Sequence, residues 1–330
     1  MPTAKRTFAL KIVRFKVGRK KGYVPPNMDD LLRRLMAAAP RVGQRHLPPP
    51  PPAPNRLAAG TACFYINRAK RRNGRDGHLI ECVSYVNGMA PEQTIPDFTA
   101  NSLPISAVPI VDPATGQTRQ VIHSYRALFF GQCAIIEQEK GGGGAATLAL
   151  SLTAMLRAHV DPDLPGIEFM DVIGADLRKS IQAAGGVKRI SASLATATTN
   201  RRRPLAFRLS RLKQWAGNRA VVHAEIDFPD GDNTSKGIQA LDEYAADNGL
   251  DSVTVYLRDG QKITGLRKFV EKRRMDIQIN PSGSYNMSDI EDTMWNYLDE
   301  VRVPDDDGWR IIDNAGRPVG AQLIDNDGDG

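Results

Sequence analysis

No run of 18 or more apolar residues occurs in this 330-residue sequence, which excludes a membrane-spanning helix. Cysteine is scarce: Cys63, Cys82 and Cys133 are odd in number, widely spaced and without a CxxC pair. That excludes a disulfide framework and a zinc knuckle, and is expected of reduced thiols in a cytoplasmic protein. The basic N-terminal stretch has no uninterrupted apolar segment and no small-residue cleavage site, so a signal peptide is not expected. The five histidines (46, 78, 123, 159 and 223) form no HxH, HExxH or Cys/His cluster, so no metal or other cofactor is expected. His223 reads as an ordinary strand residue. The D-x-D-x-D-G start at Asp325 lacks the bidentate glutamate of a calcium loop and reads as acidic tail. With no G-x-S-x-G and no cysteine in an activating setting, nucleophilic catalysis is not expected either. There is no internal repeat.

What is present is an ordinary globular mix, 41 % apolar and 25 % charged residues, at a length that suggests two domains. The net charge of +7 hides strong segregation. Residues 1–100 carry 18 Lys/Arg against 6 Asp/Glu, and residues 171–222 carry 11 against 2. Residues 284–330 invert the balance, with 3 basic against 12 acidic. Such polarity attracts a polyanion to the basic regions and lets an acidic tail compete for them. A solvated charged surface is the plainer alternative.

Along the chain, near-alternating apolar positions predict a strand over 8–17, and Asn27 is a candidate N-cap for an amphipathic helix at 28–36. Five prolines, Pro48 to Pro52, mark a stiff loop. Strands are expected at 61–67 and 78–86. The turn between them, Arg68 to Gly77, carries five positive side chains, suited either to following phosphates or to keeping strand edges apart. Strands at 124–130 and 132–137 lead to glycines 141–144 and a helix at 145–157. No GK[ST] follows the glycines and the GxGxxG spacing fails, so a flexible turn is preferred to a phosphate cradle. A strand is expected at 167–173, then a helix at 176–184 stopped by Gly185–Gly186, and a strand at 187–194. Residues 200–215 form the most basic stretch of the second half. Strands at 220–228, 251–258, 262–269 and 275–279 and a helix at 235–248 follow. A final helix at 288–298 has Ser288 and Glu291 as a capping box.

The run Val255–Lys272 with Ser288–Tyr297 resembles the C-terminal half of the RexA-like phage-exclusion proteins. The residues that carry it are Leu257, Arg258, Ile263, Glu271, Lys272, Ile290, Glu291, Met294 and Tyr297. Upstream, the aromatic strand Leu128–Phe130, a Gly-rich turn, a helix and the Gly185 turn into 187–194 are similar in order. The proline loop, the basic 68–75 hairpin and the acidic tail depart from that pattern. The resemblance implies a homodimer, similarity to the ring-forming recombination-associated protein RdgC, and DNA binding without sequence specificity. It also implies a membrane-protein partner encoded alongside. By it, Arg258 is carried over as a DNA contact, with Lys262 beside it.

The expected fold is α+β, with mixed or antiparallel sheets, flanking helices and a hinge between two domains. Residues 1–165, rejoined by 250–303, would form the first domain, 166–249 a smaller basic domain, and 304–330 a poorly ordered acidic tail. The expected function is non-enzymatic, sequence-independent binding of DNA, most simply duplex, by a homodimer of a temperate phage or prophage, acting in phage exclusion. Arg178, Lys179, Lys188, Arg189, Arg201, Arg202, Arg203, Arg208, Arg211 and Lys213 would line the phosphate path with Arg258 and Lys262. The alternative is a metal-dependent defence nuclease or nucleotide-dependent enzyme using Glu137, Glu139 and Lys140. A third reading is an interaction protein recruited through the proline loop.

Overall fold

The computed structural model describes residues 2–16, 24–52, 55–89, 92–93, 106–107, 111, 114, 116, 121–138, 144–172, 174–194, 222–228, 252–264, 270–281, 283–304, 310–317 and 319. From the N-terminus come β1 (Thr3–Lys16), α1 (Met28–Ala38), the short β2 (His46–Leu47), and the hairpin strands β3 (Ala62–Lys70) and β4 (His78–Val86). The pair β5 (Glu92–Gln93) and β6 (Ser106–Ala107) precedes β7 (Ile122–Phe130), β8 (Cys133–Gln138) and α2 (Gly144–His159). Then follow β9 (Gly166–Asp171), α3 (Ala175–Ala183), β10 (Val187–Leu194) and β11 (Val222–Asp227). The last elements are β12 (Ser252–Leu257), β13 (Lys262–Thr264), β14 (Lys272–Gln278) and α4 (Met287–Arg302). Antiparallel sheets with flanking helices make the fold α+β. The helix expected at 235–248 lies outside the described residues, as does the strand beyond Thr264.

The chain divides into two compact units, one of residues 1–25, 129–135 and 168–330, the other of 26–128 and 136–167. This division differs from the expected 1–165 and 166–249. The return of residues 250–303 to the N-terminal strand is seen, as β1 joins β14 antiparallel from Thr3↔Gln278 to Ala9↔Lys272; what differs is that 26–128 and 136–167 form a unit of their own and 168–249 falls with the first.

In the first unit, β1 lies between β14 and the start of β8, and also pairs with β9. Phe8, Ala9 and Leu10 are all fully buried, so this part of β1 is covered on both faces and strict alternation gives way. Helix α4 lies beside β14 and buries Ile290, Met294, Trp295, Tyr297, Leu298 and Val301. Its cap is not the expected Ser288. The Asn286 side chain accepts from the backbone N–H of Ser288 and Asp289, and Glu291 is buried one turn in. An asparagine two residues earlier fills the capping role equally well, and only the backbone geometry decides between them.

The expected poorly ordered tail is partly corrected. Ile311 and Ile312 are buried, and Val319 N–H returns to the Ile311 carbonyl at 3.0 Å. The turn at Asp313–Arg317 approaches the β7–β8 turn so closely that a Cβ on Gly131 would stand 1.8 Å from the Ala315 oxygen. One on Gly316 would stand 2.2 Å from the Phe130 oxygen. Both glycines also have positive φ, 56° and 73°, the region where a side chain is disfavoured.

A second sheet in this unit has the order β11-β10-β12-β13. Strands β12 and β13, expected with the N-terminal domain, thus belong beside β10. Helix α3 covers one face, with Leu177 and Ile181 against Val187, Ile190, Ala192, Val255 and Leu257. Each such fully buried aliphatic side chain stabilises by about 1.5–3 kcal/mol. Gly185 and Gly186, at φ 77° and 111°, end the helix as expected.

The other unit is built on the order β7-β4-β3-β2, with α1 against α2. Asn27 caps α1, its side chain accepting from Asp29 N–H at 2.7 Å. Leu31, Leu32 and Leu35 of α1 and Leu148, Leu152, Met155 and Leu156 of α2 are buried. Strands β3 and β4 pair from Ala62↔Val86 to Lys70↔Leu79, with a bulge between Ile66 and Arg68. No helix among the described residues is long and apolar enough to cross a membrane.

Candidate nucleic-acid interface

Of the twelve basic residues expected to contact phosphates, Arg201, Arg202, Arg203, Arg208, Arg211 and Lys213 lie outside the described residues. The other six are on or beside the second sheet. Arg178, on α3, is only 2 % exposed and donates to the Val319 carbonyl at 3.2 Å. It anchors the C-terminal segment, and this burial removes it from a phosphate surface. Lys179 is half-buried and Lys188 exposed. Lys188 is the extra residue where the β10–β12 register shifts between Val187 and Arg189, and a bulge of this kind re-aims side chains.

Arg189 is accessible but committed. Its Nε lies 2.6 Å from Asp227 Oδ1 and its Nη1 3.2 Å from Glu225 Oε2. The hydrogen bond and charge of Asp227, with Glu225 behind it, raise the guanidinium's affinity for its proton. A phosphate at this point would compete with two carboxylates. Arg258 donates to the Phe228 carbonyl at 3.3 Å, and its backbone N–H bonds Gly186 O at 3.1 Å. It therefore braces the turn from α3 into β10.

Register aligns Asp227, Arg189, Tyr256 and Lys262 in one row across all four strands. Asp227 is 65 % and Glu225 50 % exposed on their side chains, so this face meets solvent. The Lys262 ammonium stands 5.6 Å from the Tyr256 ring centroid, a cation–π distance. Tyr256 thus sits between two cations on an open sheet, where an aromatic ring can stack on a nucleic-acid base. Sequence reasoning missed it, although Val255 and Leu257 alternate with it and mark it as facing away from the core.

The alternative site also resolves differently from expectation. Glu139 and Lys140 lie outside the described residues. Glu137 is 1 % exposed and faces Arg126, whose Nη1 donates at 3.2 Å and whose backbone N–H donates to the same oxygen at 3.1 Å. Arg126 Nη2 donates to Glu81 at 2.9 Å. The second Glu81 oxygen accepts from Asn67 at 2.7 Å and Arg68 at 3.0 Å. This is a buried, charge-balanced chain joining β7, β8, β4 and β3. Its place in the core withdraws Glu137 from any role at an open catalytic site. The signal was available: a two-residue turn at Gly131–Gln132 puts Arg126 and Glu137 opposite each other.

Next to the proline run, His46 stacks on Tyr65 with ring centroids 5.8 Å apart. Its Nδ1 lies 2.6 Å from the Pro48 carbonyl and its Nε2 2.8 Å from the Tyr85 hydroxyl. In the neutral ring Nδ1 carries the hydrogen, so Tyr85 donates to Nε2. Burial and a hydrogen bond with Cys63 push the Tyr85 hydroxyl up to about 12, which keeps it a donor. The trio holds the start of the proline loop. Among the described residues no group of three or more His, Cys, Asp or Glu is placed to hold a metal ion. All three cysteines are free and buried.

Comparison with family models, with curated proteins and with solved structures finds no match for this chain.

Proposed function

We propose that this protein binds duplex DNA without sequence specificity, as a homodimer in the cytoplasm. Phage exclusion is the setting that the resemblance to RexA-like proteins supplies, and with it a membrane-protein partner encoded alongside. The observation that carries the reading is the charge of residues 171–222, 11 basic against 2 acidic. Of its two carboxylates, Asp171 is paired with Lys11; of its cations, Arg189 meets Asp227 and Glu225 from beyond the segment. Exposed Lys188 and Lys262 add cations on the same small sheet.

The mechanism is displacement of condensed counterions by lysine and arginine, which needs no catalytic group and reads no bases. If roughly five phosphates are neutralised, the affinity falls with salt at a log–log slope of about −4 to −5. The test is a gel-shift titration of two unrelated duplexes at several salt concentrations without divalent metal. Equal, steeply salt-dependent binding supports the reading; no binding at low salt overturns it. Alanine at Arg201, Arg202 and Arg203 flattens the slope if that cluster is in contact, and an unchanged slope removes it. The dimer fails if the protein sediments as a monomer at micromolar concentration with and without DNA.

A further inference from the structure

The β3–β4 hairpin carries a second concentration of positive charge, on the unit that holds none of the twelve basic residues considered above. Its cations fall into two groups. Arg68, at the hairpin's base, is taken up by Glu81 at 3.0 Å. Beyond it, Lys70, Arg71 and Arg72 are exposed and Arg75 is half-exposed, with Asp76 the single carboxylate of the tip. No apolar side chain lies between Arg71 and Asp76.

The tip is held in a defined shape. Strand pairing continues to Lys70↔Leu79, and Arg75 N–H closes a turn on the Arg72 carbonyl at 3.2 Å. Gly74 takes the positive φ, 74°, that this turn requires. Below it, His78, Leu79 and Ile80 are buried, and the Glu81–Arg126–Glu137 chain ties β4 to β7 and β8. A ligand meeting this hairpin therefore pays little to order it. The charge at the tip is felt locally: burial first, and the Arg71 charge second, push His78 down to about 4, so that imidazole stays neutral.

We infer that the β3–β4 hairpin is a second phosphate-contacting element, in which Lys70, Arg71, Arg72 and Arg75 engage the backbone of duplex DNA. A two-stranded ribbon fits a major groove about 12 Å wide, and the cations at the end of β3 and in the turn are placed to reach the phosphates that line it. An anionic membrane is the less favoured occupant, because a membrane-seating loop adds apolar side chains to its cations and this tip has none. The inference rests on the DNA-binding reading, but on different residues and a different unit.

The test compares the unaltered protein with R71Q/R72Q/R75Q and R71K/R72K/R75K on one duplex across a salt series. Circular dichroism melts confirm that each variant is folded. Three lost contacts reduce the log–log slope by about 2–3, and at 0.1 M salt each weakens binding by about 8-fold. The lysine variant keeps most of the slope, since point charges suffice for phosphate. If the unaltered protein binds and the glutamine variant binds with the same slope, the hairpin inference falls while the DNA-binding reading stands. If the unaltered protein does not bind the duplex at low salt, both fall. Hairpin-dependent sedimentation with phosphatidylserine vesicles, without hairpin-dependent DNA binding, assigns the tip to a membrane surface and overturns the inference.

Discussion

Replacing Arg126 by methionine strands a carboxylate in the core. In the native protein the Arg126 side chain is 5 % exposed and that of Glu137 not at all, and the guanidinium neutralises Glu137 on one side and Glu81 on the other. Glu81 has Arg68 and Asn67 in reserve and loses little. Glu137 keeps only the backbone N–H of residue 126 among its bonds described above. Breaking a buried pair from one side costs about 3–5 kcal/mol. The double variant R126M/E137Q removes the charge but keeps an oxygen for the residue 126 N–H, and should recover at least half of the loss. Urea unfolding reads the magnitude. Labelling of Cys82, fully buried in β4 beside Glu81, localises it, with the modified cysteine identified by mass. Trp215, Trp295 and Trp309 all lie in residues 168–330, so their fluorescence follows the other unit. A loss below about 1 kcal/mol, or a double variant no better than R126M, would refute the reasoning.

His78 predicts a pH dependence. Its pKa is pushed down to about 4 in the fold, against about 6.5 unfolded, so the unfolded chain binds the extra proton. Stability is therefore retained above about 6.5 and lost as pH falls towards about 4, by up to about 1.4 kcal/mol per unit. H78L should abolish that slope in urea melts at stepped pH, and a slope that survives would acquit His78. Gly131→Ala drives a Cβ to 1.8 Å from the Ala315 oxygen at a φ of 56°. It should cost several kcal/mol or detach residues 310–319, seen as loss of hydrogen-exchange protection at Ile311 and Val319. A mild effect would mean that segment is not docked there. For the α4 cap, N286A should cost about 1 kcal/mol and S288A a few tenths; the reverse order in chemical denaturation would restore Ser288 as the cap.

Strands β10 and β12 were legible because apolar residues alternate along them, with Val187, Ile190, Ala192, Val255 and Leu257 buried, whereas β7 was legible as a nearly continuous apolar run, buried from Tyr125 to Phe130. The α1 cap was legible for a local reason, an asparagine two residues before two aspartates. What escaped was set at long range. Nothing near Arg178 in sequence indicates that Val319, 141 residues away, will cover it. A long arginine beside the apolar Leu177 and Ile181 reads as basic surface until its acceptor is known. Arg189 looked equally available, and only the pairing of β10 with β11 puts two carboxylates on it. The domain boundary differs for the same kind of reason: residues 26–128 and 136–167 separate from the N-terminal strand, a partition no local pattern encodes. Glu137 and Arg126 were the exception, since a short turn fixes their register and the pairing could have been read.

The two classes of charge in β3–β4 bear on why the tip is so basic. In the stem, carboxylates meet the cations of the charged chain: Arg68 has Glu81, and Arg126 has Glu81 and Glu137. Four more cations follow within six residues, Lys70 to Arg75, with Asp76 the one carboxylate in that stretch of sequence. Discouraging strand association needs one or two charges, and solubility is served as well by a mixture of signs. Neither favours three arginines on a tight turn, where like charges repel and raise the cost of the fold. Arginine in place of lysine is the preferred choice where planar, bidentate contact with phosphate matters. A same-sign cluster held rigidly at the end of a buried, charge-balanced stem is what a phosphate contact requires, and the stem's neutrality lets the tip keep its charge without unsettling the core beneath it.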